Sequence, residues 1–122
     1  MLEEALKEYA RSIGLACLGI GPAEPFGEVE ALLSEQREQG TYPDFCEREI
    51  PRRTRPADLL PGARSIISIA LPYLTDDDPY PKAGDTPRGL GSRYAWGADY
   101  HPILLEKAEA IAAFLADRVG RR

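Results

Sequence analysis

Leu2, Leu6, Tyr9, Ala10 and Ile13 recur at helical spacing, while Glu3, Glu4, Lys7, Glu8 and Arg11 take the opposite face. Gly14 supplies a C-terminal stop, so the pattern predicts a helix from about residue 2 to 13. Leu15-Ala-Cys-Leu-Gly-Ile20 is a short apolar run closed by Gly21-Pro22, which predicts a strand buried on both faces with Cys17 inside it. Pro25, then Phe26, Val29, Leu32 and Leu33 against Glu28, Glu30, Glu35 and Glu38, predict a second helix ending near Gly40.

Residues 41–63 hold five prolines or glycines and little periodicity, which predicts a long loop with a short helix around Asp58-Leu-Leu60. Arg64-Ser-Ile-Ile-Ser-Ile-Ala-Leu71, stopped by Pro72, carries the strongest strand signal. Between Pro72 and Gly97 lie four prolines, four glycines and three consecutive aspartates, a loop long enough to suggest function or mobility. The last element runs from Pro102 to about Val119 on a stripe of Leu104, Ala108, Ile111, Phe114 and Leu115. Helix, strand, helix, strand, helix is an α/β order with a small mixed sheet. Two strands are few for a self-sufficient sheet, so residues 1–122 are expected to form an incomplete domain or one completed by dimerisation.

The 122 residues allow one domain, and 43% hydrophobic content suits a packed globule. No run approaches the ~20 apolar residues of a membrane span, and the charged amphipathic N-terminus differs from a signal peptide, so a cytosolic protein without membrane contact is expected. Two cysteines and one histidine fall short of a disulfide framework, a zinc site or a cluster site. The net charge of −5 arises in residues 1–40, with eight acids against three bases, whereas residues 41–122 carry twelve of each. Twelve of the fifteen basic residues are arginines, whose planar forks suit phosphate or carboxylate. They cluster at Arg48, Arg52, Arg53 and Arg55, at Arg88 and Arg93, and at Arg118, Arg121 and Arg122; a solvated surface is the plain alternative.

Gly19-Ile-Gly21 and Gly89-Leu-Gly91 both lack the third glycine of a dinucleotide fingerprint and are expected to be turns. Cys17 is expected to be an inert core residue, Cys46 a plain surface thiol, and Asp76, Asp77 and Asp78 a solvated turn. The densest chemistry is Gly91-Ser-Arg-Tyr-Ala-Trp-Gly-Ala-Asp-Tyr-His101-Pro, which gathers Arg93, Tyr94, Trp96, Asp99, Tyr100 and His101. Pro102 suits a first helical turn and predicts His101 at the cap of the last helix, facing amides that favour a neutral ring. Such an imidazole beside a carboxylate and phenols can bind a polar ligand or relay a proton, and the aromatics can form a wall for a large planar group. Equally, Trp96 and Tyr100 could staple the helix while Asp99 or His101 caps it.

Arg55-Pro-Ala-Asp-Leu-Leu-Pro-Gly-Ala-Arg-Ser-Ile-Ile-Ser-Ile-Ala-Leu-Pro-Tyr73 followed by Ser92-Arg-Tyr-Ala-Trp-Gly-Ala-Asp-Tyr-His101 resembles the N-terminal domain of bacterial epoxyqueuosine reductase. Ile13-Gly-Leu-Ala-Cys-Leu-Gly-Ile-Gly-Pro-Ala-Glu24 is similar to that family's first strand and turn. The resemblance implies part of a cobalamin-dependent oxidoreductase that reduces the epoxide of epoxyqueuosine at the tRNA wobble position. It implies a base-off cobalamin bound with help from this domain, and a ferredoxin-like C-terminal domain carrying two four-iron four-sulfur clusters. By the matching motif, Arg93, Tyr94, Trp96, Asp99, Tyr100 and His101 would line or shape the pocket where cobalamin and the modified base meet. The family's cluster-binding cysteine runs and its Val-Asp-Thr-Gly-Pro motif, with the proposed proton donor, are not among these 122 residues. No catalytic residue is therefore expected in this chain, and competence would depend on the C-terminal iron-sulfur domain. The competing expectations are a non-catalytic homodimerising α/β module, or a corrinoid-binding or electron-transfer partner of separate subunits.

Overall fold

A computed structural model describes residues 1–74, 89 and 91–120. The expected aspartate turn at 76–78, Arg88, Arg121, Arg122 and most of the 72–97 loop lie outside the described residues. The elements are α1 (Leu2–Ser12), β1 (Cys17–Pro22), α2 (Gly27–Glu38), α3 (Ile50–Thr54), α4 (Pro56–Leu59), β2 (Ser65–Ala70), a 3-10 turn (Arg93–Ala95) and α5 (Tyr100–Val119). The α/β order read from the hydrophobic pattern holds. The 41–63 stretch differs in detail, since it forms two short helices, each with a proline in its first turn. Proline lacks the N–H that a first turn leaves unpaired, so it starts a helix there at little cost.

β1 and β2 form a two-stranded sheet among the described residues. The Ala16 N–H donates to the Ala70 carbonyl at 2.8 Å and the Ala23 N–H to the Arg64 carbonyl at 3.1 Å. As one strand advances the other retreats, so the pair is antiparallel. The strand expected to be buried on both faces is not: Leu18 is buried, whereas Cys17 and Ile20 are exposed. Successive strand side chains point to opposite faces, so Cys17 lies opposite Leu18, while Ile20 shares the Leu18 face beyond the part of it that is covered. Cys17 is thus an exposed thiol and not the core residue expected.

The chain divides into two compact units, Met1–Leu18 with Ile69–Arg122, and Gly19–Ser68. In the first, α1 packs on α5 through apolar side chains. Leu6, Ala10, Leu15, Leu18 and Ile111 are buried, and Tyr9 stacks on Phe114 with centroids 4.4 Å apart. Burying Leu6, 1% exposed, is worth roughly 1.5–3 kcal/mol. Gly14, at φ +87°, turns the chain from α1 into the sheet, a conformation that costs a side-chain-bearing residue.

The second unit is held differently. α2 has no buried residue, and Phe26, Val29 and Leu32 of its expected apolar face are exposed. Its attachment is polar: the Phe26 N–H donates to the Thr54 carbonyl at 2.8 Å, and the Thr54 hydroxyl donates to Glu30 at 3.0 Å. The Arg55 fork closes on the same carboxylate at 2.9 and 2.6 Å. Thr54 is fully buried, and next to Ile50 it forms the small core of this unit.

Candidate functional site

The 91–101 segment lies in the first unit and is shaped by backbone rules before side chains matter. Ser92 leads into the 3-10 turn, closed by the Trp96 N–H donating to the Arg93 carbonyl at 3.0 Å. Gly97, at φ +80°, then reverses the chain in a conformation only glycine adopts cheaply. Asp99 follows as the N-cap of α5, its Oδ1 accepting the His101 backbone N–H at 2.9 Å. His101 had been expected at this cap; it sits instead within the first turn. A carboxylate accepts an orphan amide and complements the positive end of the helix, which an imidazole does less well. The capping alternative therefore holds for Asp99.

The same Oδ1 meets His101 Nδ1 at 2.7 Å. The His101 backbone N–H first, and its ring second, hold the Asp99 carboxyl below the ordinary aspartate range. Tyr100 stacks on the His101 ring at 4.1 Å, and Tyr94 meets Tyr100 edge-on at 6.0 Å. Tyr94, Tyr100, His101 and Asp99 thus form one connected group. Trp96 and Arg93 form a second pair, with the guanidinium 5.7 Å from the indole centroid and the indole N–H donating to the Gly91 carbonyl at 3.0 Å.

Beside the first group is an open cleft of about 220 Å³ lined by Ile69, Leu71, Tyr73, Tyr94, Tyr100 and Leu104. Two of the six expected site residues, Tyr94 and Tyr100, reach this lining; Arg93, Trp96, Asp99 and His101 do not. Ile69, Leu71, Tyr73 and Leu104 were not anticipated as lining. Their sequence signal is the abrupt Pro72 stop, which ends β2 and places the apolar Leu71 and Tyr73 just past it.

The arginine cluster of the second unit has a different fate. Arg55 is bidentate on Glu30, which draws the Glu30 carboxyl below its usual range. Arg52 lies 3.5 Å from Glu47, and Arg53 donates to the Tyr42 hydroxyl at 3.0 Å. Arg37 lies 5.0 Å from the centroid of the Tyr42 ring and donates to the Arg48 carbonyl. The neighbouring cleft, about 460 Å³, is lined by Arg37 and Arg48 but equally by Asp44 and Glu49, so its charge cancels. Cys46, half-buried there, is a free thiol. Among the described residues no group of His, Cys, Asp and Glu could hold a metal ion, and no helix is long and apolar enough to cross a membrane.

Comparison with known proteins places this geometry in a family. Residues 53–122 match the family model described as epoxyqueuosine reductase QueG, DUF1730. The epoxyqueuosine reductase of Bacillus cereus is 36% identical over 120 residues, covering 97% of this chain and 31% of the relative. That of Bacillus subtilis is 38% identical over 118 residues, with 96% and 31% covered, and that of Pseudomonas aeruginosa 33% over 122 residues, with 98% and 34% covered. A crystal structure of selenomethionine-labelled epoxyqueuosine reductase superposes with a TM-score of 0.88 at 38% identity, over 96% of this chain and 32% of that one. Another, of epoxyqueuosine reductase with an epoxyqueuosine-modified tRNA-Tyr stem loop, gives 0.87 at 38% identity over 95% and 31%. The chain spans about a third of the length of these relatives. The motif pair at Arg55–Tyr73 and Ser92–His101, the matching fold and the family model together assign this chain to the epoxyqueuosine reductase QueG, DUF1730 family.

Proposed function

We propose that this chain forms the N-terminal part of a cobalamin-dependent epoxyqueuosine reductase, contributing one wall of the place where the corrinoid and the modified tRNA base meet. The observation that carries the reading is the apolar tyrosine-lined cleft adjoining the Asp99–His101 pair. At about 220 Å³ the cleft is smaller than the ~300–1,000 Å³ of pockets that enclose a drug-sized ligand. It suits one face or edge of a large planar group, and the remaining walls would come from elsewhere. A corrinoid bound there would supply the low-potential reducing centre for the epoxide.

Reduction of an epoxide to an alkene consumes two electrons and two protons and releases water. The cysteine runs that would bind the family's clusters are not among these 122 residues, so catalysis is assigned to the longer polypeptide. Within this chain Ile69, Leu71, Tyr73 and Leu104 exclude water along one side of the cleft. Tyr94 and Tyr100 provide flat surfaces, Trp96 and Arg93 stiffen the entering loop, and Asp99 with His101 offers polar groups to the nucleoside. The structure of a relative with a tRNA stem loop supports tRNA as the macromolecular substrate.

Titration with hydroxocobalamin, followed by its visible spectrum, tests the retained wall. A saturable change at micromolar concentrations is expected; an unaltered spectrum at high micromolar protein would remove the site. The two-stranded sheet favours a second reading, a module that pairs with a second copy, because two strands are seldom stable alone and open edges recruit strands. Sedimentation separates the two readings, since a monomer at every concentration excludes obligate pairing.

A further inference from the structure

One oxygen of Asp99 serves two hydrogen bonds. Oδ1 accepts the His101 backbone N–H at 2.9 Å and lies 2.7 Å from His101 Nδ1. A carboxylate so placed accepts but does not donate, which requires the proton of a neutral imidazole to sit on Nδ1. Nε2 then carries the lone pair, and it makes no hydrogen bond among the described residues. Two contacts orient the ring, Asp99 Oδ1 at Nδ1 and Tyr100 stacked on its face at 4.1 Å. A histidine free in water favours the opposite tautomer, with the proton on Nε2, so the arrangement works against the intrinsic preference.

We infer that Asp99 is a positioning residue that holds His101 in its Nδ1–H tautomer, so that Nε2 is committed to accepting a hydrogen from an O–H or N–H group of the ligand. The inference deepens the proposed function and rests on it for the ligand, while the tautomer itself stands on the Asp99–His101 geometry alone. Capping and tautomer selection are coupled here: the oxygen that starts the helix also decides which ring nitrogen is left as an acceptor. A neutral Nε2 acceptor selects a donor group and rejects a carbonyl or ether oxygen at the same place.

His101 is the only histidine in the chain, so ring-labelled 15N-histidine gives one pair of ring nitrogen signals. At a pH where the ring is neutral, long-range 1H–15N correlation of the 122-residue protein should show a pyrrole-type Nδ1 and a pyridine-type Nε2. A dominant Nε2–H pattern would overturn the inference. Asp99→Asn keeps an oxygen for the cap but can turn its amide N–H2 toward Nδ1, and should shift the ring toward Nε2–H. Asp99→Ser keeps a good N-cap but loses the reach to the ring, and should revert to Nε2–H with helix content by circular dichroism unchanged. Retention of Nδ1–H in Asp99→Ser would also overturn it. The hydroxocobalamin titration reads the proposed function separately: its failure beside an Nδ1–H spectrum rejects the cofactor and leaves the tautomer assignment intact.

Discussion

The 48–55 and 93–101 segments are both crowded with hydrogen-bonding side chains, yet the folded chain uses them in opposite ways. In the first, Arg52, Arg53 and Arg55 are engaged by Glu47, Tyr42 and Glu30, and the carboxylates nearby balance the rest. In the second, the Asp99–His101 pair is 66% and 72% exposed, and Tyr94 and Tyr100 border an apolar cleft. A dense cluster is a structural knot when its partners lie within the protein. It is a candidate site when unused valence and apolar surface are left together.

The supports of the two units also differ, and the largest predicted effect tests that. α5, which carries Asp99 at its cap, rests on α1 through Leu6, Tyr9, Ile111 and Phe114. Leu6→Ala should lower stability by about 2–5 kcal/mol in denaturant unfolding, equally at low and high salt, because a cavity is not screened. A strong salt dependence would show that apolar packing is not what holds this unit.

Next in size is a matched deletion of one tyrosine from each region. Tyr100→Ala should weaken hydroxocobalamin binding about tenfold, near the ~1.4 kcal/mol upper range of an aromatic contact. Tyr42→Ala, which removes the ring between Arg37 and Arg53, should leave that affinity unchanged. Equal losses in the two variants would erase the distinction between knot and site.

Thr54→Val probes the polar knot with little change of shape. The buried hydroxyl donates to Glu30 at 3.0 Å and lies 3.1 Å from the Ile50 carbonyl, so its loss should cost about 0.5–1.5 kcal/mol in thermal or denaturant unfolding. The smallest effect is that of pH. Glu30 and Asp99 both titrate lower in the folded chain than their ordinary values. The unfolded chain therefore takes up protons first, and the stability these groups supply is complete above the ordinary carboxylate range. It is lost as pH falls below about 4 and through the lowered folded values. Arg55→Met should flatten the Glu30 part of that acid limb and Asp99→Asn the Asp99 part; an unaltered acid limb in both would show that neither contact survives in solution.

Periodicity and turn chemistry made the helices at the N-terminus and C-terminus, both strands and the aromatic hotspot legible. These depend on neighbours within one or two turns, and α1 ends before Gly14 as the pattern requires. Cys17 was misplaced because a short apolar run reads alike whether one face is covered or two, and only the tertiary packing shows that Leu15 and Leu18 of this run are buried while Cys17 and Ile20 are not. The apolar face of α2 likewise gave no hint that it would be held through Glu30, Thr54 and Arg55, residues up to 25 apart.

Local sequence thus determined the three longer helices, both strands and the stretch rich in aromatic and titratable residues, because those properties follow from neighbouring residues; the short α3 was not among them. Tertiary structure decided which arginines are spent on internal acids, that Asp99 and not His101 caps α5, and that Ile69, Leu71 and Tyr73 of the β2 end meet Tyr94 and Tyr100 at one cleft. Burial, ion pairing and cleft formation join residues distant along the chain, and no local pattern encodes which partners they find.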